Sequence, residues 1–122
     1  MWLYLSRSGA LLDTQRSRRQ WCYAGRHEGK NNPDLQHVKG IGPLPEAVYA
    51  IEAPVESPVT GKYTLRLVPH VGSELYGRCS FAIHGDSREH PGEASHGCIV
   101  TGFAQRVEIW DSGDHLLKVV AD

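Results

Sequence analysis

Short apolar segments separated by turn residues run the length of this chain. Residues 46–52 and 62–68 alternate between the two sides, so that Tyr63, Leu65 and Leu67 share one face of the second segment. A period of two is typical of strands that bury one face. Other short segments, rich in Val, Ile, Leu, Tyr and Trp, predict further strands at residues 2–6, 11–14, 19–24, 81–83, 98–100 and 115–120. We expect the first two of these to form a hairpin and the last to close the sheet.

One segment follows the helical period instead. Residues 102–111 place Phe103, Val107 and Trp110 on a common face, and Thr101 precedes them as a possible amino-terminal cap. The pattern therefore predicts one short helix, which follows the last cysteine.

A long segment between the strands carries neither period. Residues 25–45 are rich in Gly, Pro and Asn, which indicates an ordered loop, and loops of this length are often functional. We expect it to form one wall of a substrate cleft. The expected fold is mainly β, in a single domain that covers residues 1–122.

Composition and charge exclude several classes of function. The chain has 122 residues, 40% of them apolar, and 13 basic residues against 14 acidic ones give a net charge of −1. The charge of a typical nucleic-acid binder is missing, so we expect no nucleic-acid partner. No apolar run approaches the roughly 20 residues of a membrane span, and residues 1–7 do not read as an export signal. We therefore expect synthesis in the cytoplasm and no stable membrane insertion.

The three cysteines are far apart in the sequence. Cys22, Cys79 and Cys98 lack the Cys-x-x-Cys spacing of a structural zinc site or a redox pair. At least one thiol is free, and the sequence leaves open whether Cys22 and Cys79 form a disulfide.

The candidate chemistry is concentrated around the last cysteine. Three of the seven histidines, His84, His90 and His96, lie shortly before Cys98. A thiol becomes a good nucleophile when a nearby imidazole takes its proton. His84 ends one predicted strand and Cys98 begins another, so the two can meet if these strands are neighbours. Gly97 allows a sharp turn before the sulfur, and the N–H groups of Gly97 and Cys98 are candidate oxyanion donors.

These residues resemble a known catalytic motif. Ile-His-Gly-Asp at 83–86 and Ala-Ser-His-Gly-Cys-Ile at 94–99 are similar to the motif of the L,D-transpeptidase catalytic domain, the YkuD-like fold. Residues 38–49 look like the entry to a core strand of that fold. Together with Gly-Lys-Asn-Asn-Pro at 29–33, they are closest to the small L,D-transpeptidase-like domain of type VI secretion effectors that attack peptidoglycan. The resemblance implies a β-sandwich or barrel.

The resemblance also implies roles for individual residues. Cys98 is the nucleophile, His84 its base, and the carbonyl of Gly85 orients the imidazole. Ser95, His96 and Gly97 shape the pocket and the oxyanion site, with Ser95 as a substrate-binding residue, and His96 either donates to the substrate or only walls the pocket. No cofactor and no metal is implied.

Two further residues are candidate substrate contacts. Many relatives have Arg two positions after the cysteine, whereas this chain has Val100. Arg88 is the candidate replacement for binding a substrate carboxylate. Asp86 is the second candidate for substrate binding, and its carboxylate can either orient a histidine or brace the loop backbone.

The implied activity is on peptidoglycan stem peptides, through a thioester on Cys98. Hydrolysis would give an L,D-carboxypeptidase, and transfer to an amine would give an L,D-transpeptidase with D-amino-acid exchange. An effector of this kind is expected to act in the periplasm of a target bacterium and to be bound by an immunity protein. Two alternatives stay open: a metal-dependent peptidase that uses His84, Asp86 and His96 or His90, and a non-catalytic cell-wall-binding adaptor.

Overall fold

Ten strands make up 33% of the chain, and nine of them follow one another as neighbours in a single sheet. The computed structural model describes all 122 residues. In chain order the strands are β1 (Trp2–Leu5), β2 (Ala10–Leu12), β3 (Arg19–Trp21), β4 (Tyr23–Ala24), β5 (Ala47–Ile51), β6 (Val55–Ser57), β7 (Gly61–Pro69), β8 (Phe81–His84), β9 (Ile99–Val100) and β10 (Leu116–Val120).

The sheet nearly closes into a barrel. The strand order is β3-β2-β1-β10-β5-β7-β8-β9-β4, with β6 paired to β7 outside this path. The two ends of the path, β3 and β4, are consecutive in the chain and separated by Cys22 alone. The predicted fold class, a mainly β sheet of sandwich or barrel type with one helix, is confirmed.

The amino-terminal strands pair as the sequence indicates, but the last strand has a different place. β1 and β2 form the predicted antiparallel hairpin, and β3 extends it. β10 lies between β1, to which it is parallel, and β5, to which it is antiparallel. β10 is therefore an interior strand. The prediction that it closes the sheet is wrong, because the two ends of the sheet are β3 and β4.

The alternating segments bury the apolar faces that their patterns predict, except that Tyr63 of β7 is only half-buried and Thr64, from the predicted polar face, is buried. Tyr49 and Ile51 of β5 lie in the core, and so do Leu65 and Leu67 of β7, whereas Arg66 between them is exposed. These side chains belong to one cluster of 15 buried apolar residues inside the curved sheet.

The single α-helix, α1 (Phe103–Asp111), forms where it is predicted, but it buries a different face. Ile109 and Arg106 are buried, whereas Phe103 is exposed. Arg106 turns inward because its guanidinium donates to the backbone carbonyl of Tyr63 on β7, at 3.1 Å. Gly102, and not Thr101, is the N-cap. No helix has both the length and the apolar character needed to cross a membrane.

The segment 25–45 is largely irregular, as predicted, and holds two short 3-10 helices, His27–Gly29 and Pro33–Leu35. Leu44 near its end is fully buried in the main core. This anchor fixes the loop against the sheet.

All three cysteines are free. The pairing of Cys22 with Cys79, which the sequence left open, is not formed. Burial raises the pKa of Cys22 to about 11, so this thiol is protonated at neutral pH.

Candidate active site

Parallel pairing of β8 with β9 brings the predicted nucleophile and base to one face of the sheet. Ile83 pairs with Ile99, and both side chains are fully buried in the core. Neighbouring residues of a strand point to opposite faces. His84 and Cys98, which each adjoin one of these isoleucines, therefore lie on the other face.

A cavity of about 500 Å³ lies on that face and is lined by both His84 and Cys98. His96 also lines it. A second cavity of about 250 Å³ reaches Cys98 from the side of Lys39 and Gly40. The long loop therefore forms a wall on one side of Cys98, as expected from the sequence.

His84 is held in one orientation and one tautomer. Its Nδ1 donates to the carbonyl of Gly85 at 2.8 Å, which leaves Nε2 without a proton. Burial lowers the pKa of His84 below its ordinary value, and Arg106 lowers it further, although the bond to Gly85 acts in the opposite direction. The imidazole is therefore neutral at pH 7 and able to accept a proton.

Cys98 is a protonated thiol in the resting structure. Burial raises its pKa above the ordinary value, while the N–H of Ala82 and the charge of Arg78 favour the anion and oppose that rise. The thiol donates to the carbonyl of Ser80 at 3.7 Å. The resting pair is thus a neutral thiol and a neutral imidazole, and no ion pair has formed.

Arg78, which the sequence analysis did not single out, ties the long loop to the catalytic motif. The side chain is buried and has no acidic partner. Its guanidinium donates to four backbone carbonyls, those of Gln36 at 2.6 Å, Pro43 at 2.8 Å, Gly42 at 3.0 Å and His96 at 3.3 Å. A Cβ atom at Gly97 would collide with this guanidinium, which explains why glycine precedes the cysteine.

Ser95 is predicted to contact the substrate, but its side chain is bonded within the chain. It is fully buried, and its hydroxyl donates to the carbonyl of Cys98 at 2.6 Å. The same oxygen accepts from the N–H groups of Gly25 at 2.8 Å and Gly97 at 3.1 Å. Ser95 therefore positions the loop. The N–H of Gly97 is already bonded, so it is not the free oxyanion donor that we predicted.

Asp86 braces the loop and is not free for substrate. Its carboxylate accepts from the Tyr23 hydroxyl at 2.6 Å and from the N–H groups of Ser87 and Gly92. Although partial burial opposes it, these bonds hold the pKa of Asp86 below its usual range. Of the two roles left open, the bracing role matches these contacts.

The remaining predicted residues lie at the edges of the site. His96 is exposed, and its Nε2 lies 3.2 Å from the guanidinium of Arg26. Arg88 does not line the cavities that contain Cys98, and it lines a neighbouring groove instead. Val100 is buried beside His84, where it offers no charge.

The residues proposed for a metal site do not form one. No three His, Cys, Asp or Glu side chains come together at ligand distance. His90 is exposed and lies beside Glu93, at 3.7 Å. Since the carboxylate of Asp86 is bonded to Tyr23 and to the loop, the donor set of the metal alternative is not assembled.

No sequence pattern indicated that Arg78 or Arg106 is buried. A single arginine in a polar stretch reads as exposed, and only the folded chain brings backbone carbonyls around each guanidinium. The sequence signal was strongest for His84, which ends a short apolar strand, and for Cys98, which directly precedes another.

A barrel-like β domain with a thiol and a neutral imidazole in one cavity has the arrangement of a candidate cysteine enzyme. The family model of the Tlde1 domain matches residues 18–120. The chain belongs to this family, which comprises type VI secretion effectors that target peptidoglycan. No curated protein and no solved structure matches the chain significantly.

Replacing Gly97 by Ala should destabilise the fold by more than the strain of its positive φ alone. Gly97 has a φ of 138°, and the added Cβ would also displace Arg78. Gly113 has a φ of 78° but open space around it, so Gly113→Ala is the matched control. We expect the control to cost about 1 kcal/mol and Gly97→Ala about 3 kcal/mol in the free energy of unfolding. If chemical denaturation shows that the two variants lose the same free energy of unfolding, the predicted collision with Arg78 is contradicted.

The thiol of Cys98 should alkylate slowly at neutral pH. Because its pKa is raised, the thiolate fraction, and with it the rate of iodoacetamide labelling at Cys98, should rise about tenfold per pH unit from pH 7 to 8. Peptide mass spectrometry separates this site from the other two cysteines. A labelling rate already constant below pH 7 would indicate a preformed thiolate–imidazolium pair and contradict the neutral resting state.

Proposed function

We propose that Cys98 and His84 catalyse acyl transfer on peptidoglycan stem peptides. The observation that carries this proposal is that Cys98 and His84, whose imidazole is neutral and oriented by the carbonyl of Gly85, line one cavity. The family's action on peptidoglycan supports the substrate class. The motif resemblance supports the finer assignment, an L,D-carboxypeptidase or L,D-transpeptidase.

In the proposed first step, the thiol turns from the Ser80 carbonyl and gives its proton to Nε2 of His84. The sulfur attacks the carbonyl of the residue that precedes the terminal D-amino acid. The C–N bond then breaks, the departing amine takes the proton from the imidazolium, and a thioester on Cys98 is left.

In the second step, water or the amine of another D-amino acid attacks the thioester. His84 accepts the proton of the attacking group and returns it to the sulfur. Water gives hydrolysis, and an amine gives transpeptidation or exchange. Both outcomes use the same two residues.

The surroundings of the sulfur favour charge that develops during the reaction. The N–H groups of Ala82 and Cys98 and the guanidinium of Arg78 all stabilise an anion at this position. Since His84 starts neutral, the thiolate forms when a substrate is bound and water is excluded.

The effector family implies delivery into another cell. We propose that the chain acts in the periplasm of a target bacterium, and that the producer is protected by an immunity protein that covers the cavity at Cys98. A non-catalytic cell-wall-binding adaptor is the second candidate, and the family's peptidoglycan target is compatible with it.

Replacing Cys98 by Ala should abolish turnover of stem peptides. Purified native chain and variant are incubated with synthetic tetrapeptide and pentapeptide stems, and products are followed by mass spectrometry. We expect loss of the terminal D-amino acid with the native chain and at least a roughly 10³-fold lower rate with the variant, because the nucleophile is gone. Cys79→Ala, which removes an exposed thiol, is the matched control and should retain activity.

The two alternatives give other results in the same experiment. Turnover that persists in Cys98→Ala would contradict the thiol mechanism, and its loss with a chelator would indicate a metal. Binding of peptidoglycan without any product would indicate the adaptor.

The native chain should be toxic when it is directed to the periplasm. Expression in a bacterium with an added periplasmic signal should stop growth or deform cells, whereas expression without the signal, or of Cys98→Ala with it, should not. Growth unaffected by the exported native chain would contradict an antibacterial role.

A further inference from the structure

The largest cavity of the molecule is a groove of about 890 Å³ that continues from the cavity at Cys98. Thr60, Gly85 and Asp86 line both the groove and the cavity that contains His84 and Cys98. A ligand that reaches Cys98 can therefore extend past His84 into the groove.

Two exposed aromatic rings line this groove. Trp21 is 65% exposed and Phe103 is 59% exposed, which makes them the most exposed of the ten aromatic side chains in the chain. An exposed aromatic ring leaves a large apolar surface in contact with water, and burying that surface against a ligand is favourable. Two such rings in one groove indicate a ligand that has apolar faces.

Both rings are held in place before any ligand binds. In β3, the guanidinium carbon of Arg19 lies 5.5 Å from the centre of the Trp21 ring. Phe103 packs edge-on against Tyr63, with ring centres 5.4 Å apart, and the guanidinium carbon of Arg106 lies 5.7 Å from its own ring centre. Side chains that are already ordered lose little conformational freedom when a ligand binds.

The side chains around the two rings are polar. Thr60, Lys62 and Arg88 line the groove, and neither Lys62 nor Arg88 forms an ion pair within the chain. The groove thus combines flat apolar surfaces with hydrogen-bonding groups. A pyranose ring has the complementary character, because it carries a face of C–H groups and a rim of hydroxyl or acetamido groups.

The distance from His84 to the aromatic rings matches the length of a stem peptide. His84 pairs with Val100, and Val100 pairs with Tyr23, so the three residues form one row across β8, β9 and β4. Neighbouring strands lie about 4.8 Å apart, which separates the backbones of His84 and Tyr23 by about 10 Å, and Trp21 is two residues from Tyr23. In a tetrapeptide stem, the residues between the sugar and the bond cleaved in the proposed reaction span about 10 Å when they are extended.

We propose that this groove binds the glycan strand of peptidoglycan, with sugar rings packed on Trp21 and Phe103. The inference rests on the proposed function, since its ligand is the glycan that carries the cleaved stem peptide. It follows that the chain acts on stems still attached to glycan in preference to free peptides.

The first test measures glycan binding in the absence of any stem peptide. A chito-oligosaccharide, which is a soluble chain of N-acetylglucosamine, is titrated into the native chain by calorimetry. Trp21→Ala and Phe103→Ala, introduced one at a time, should each weaken binding about tenfold, because a packing surface for a sugar ring is lost. No binding by the native chain, or equal affinity of the native chain and both alanine variants, would overturn the inference.

Two further variants control for general effects of the substitutions. Tyr76→Ala removes an exposed aromatic ring that lines none of the cavities, and it should leave oligosaccharide binding unchanged. Trp21→Phe keeps a ring at the same position and should retain most of the binding that Trp21→Ala loses. Circular dichroism checks that each variant is folded. Loss of binding in Tyr76→Ala equal to that in Trp21→Ala would contradict a site in the groove.

A turnover measurement separates failure of this inference from failure of the proposed function. We expect the native chain to have a KM about tenfold lower for a disaccharide-tetrapeptide than for the free tetrapeptide, and Trp21→Ala to remove most of that difference. Oligosaccharide binding without turnover of either substrate would remove the catalytic proposal and support the groove. Turnover of both substrates with equal KM, without oligosaccharide binding, would support the catalytic proposal and remove the groove.

Discussion

The parallel pairing of β8 with β9 is the constraint on which the site depends. Parallel neighbours need a long crossover, and here residues 85–98 provide it without a helix. The backbone N–H and C=O groups of a crossover without a helix need hydrogen-bond partners from elsewhere in the chain. Ser95 and Asp86 meet this need from within the crossover, Tyr23 meets it from β4, and Arg78 joins the crossover to the long loop. The residues that surround His84 and Cys98 therefore serve mainly to hold the crossover in place.

Two buried arginines give the site its electrostatic character. Arg78 lies on the side of the thiol and favours its anion, whereas Arg106 lies on the side of His84 and disfavours the imidazolium. Both guanidiniums are held by backbone carbonyls and not by carboxylates. Neither charge is neutralised within the protein, so both act on the cavity and on whatever binds there.

The sequence predicted the strands well, and it predicted that His84 and Cys98 meet at one cavity, because both predictions rest on local patterns. The alternation around Leu65 and the residues next to Cys98 are visible without tertiary structure. The buried face of α1 was not predictable, because Arg106 is buried through carbonyls supplied by β7. Ser95 and Asp86 were assigned to substrate for the same reason: their bonding partners, Gly25 and Tyr23, are about 60 to 70 positions away in the sequence.

The shortness of the strands at the ends of the sheet has a consequence for how the protein behaves among other chains. Strand edges offer rows of unpaired N–H and C=O groups on which a foreign strand can add. Here the two terminal strands, β3 and β4, have three and two residues, and β6, off the main path, spans only three. Little backbone is left to recruit a neighbour, so aggregation through edge pairing is disfavoured even at high local concentration.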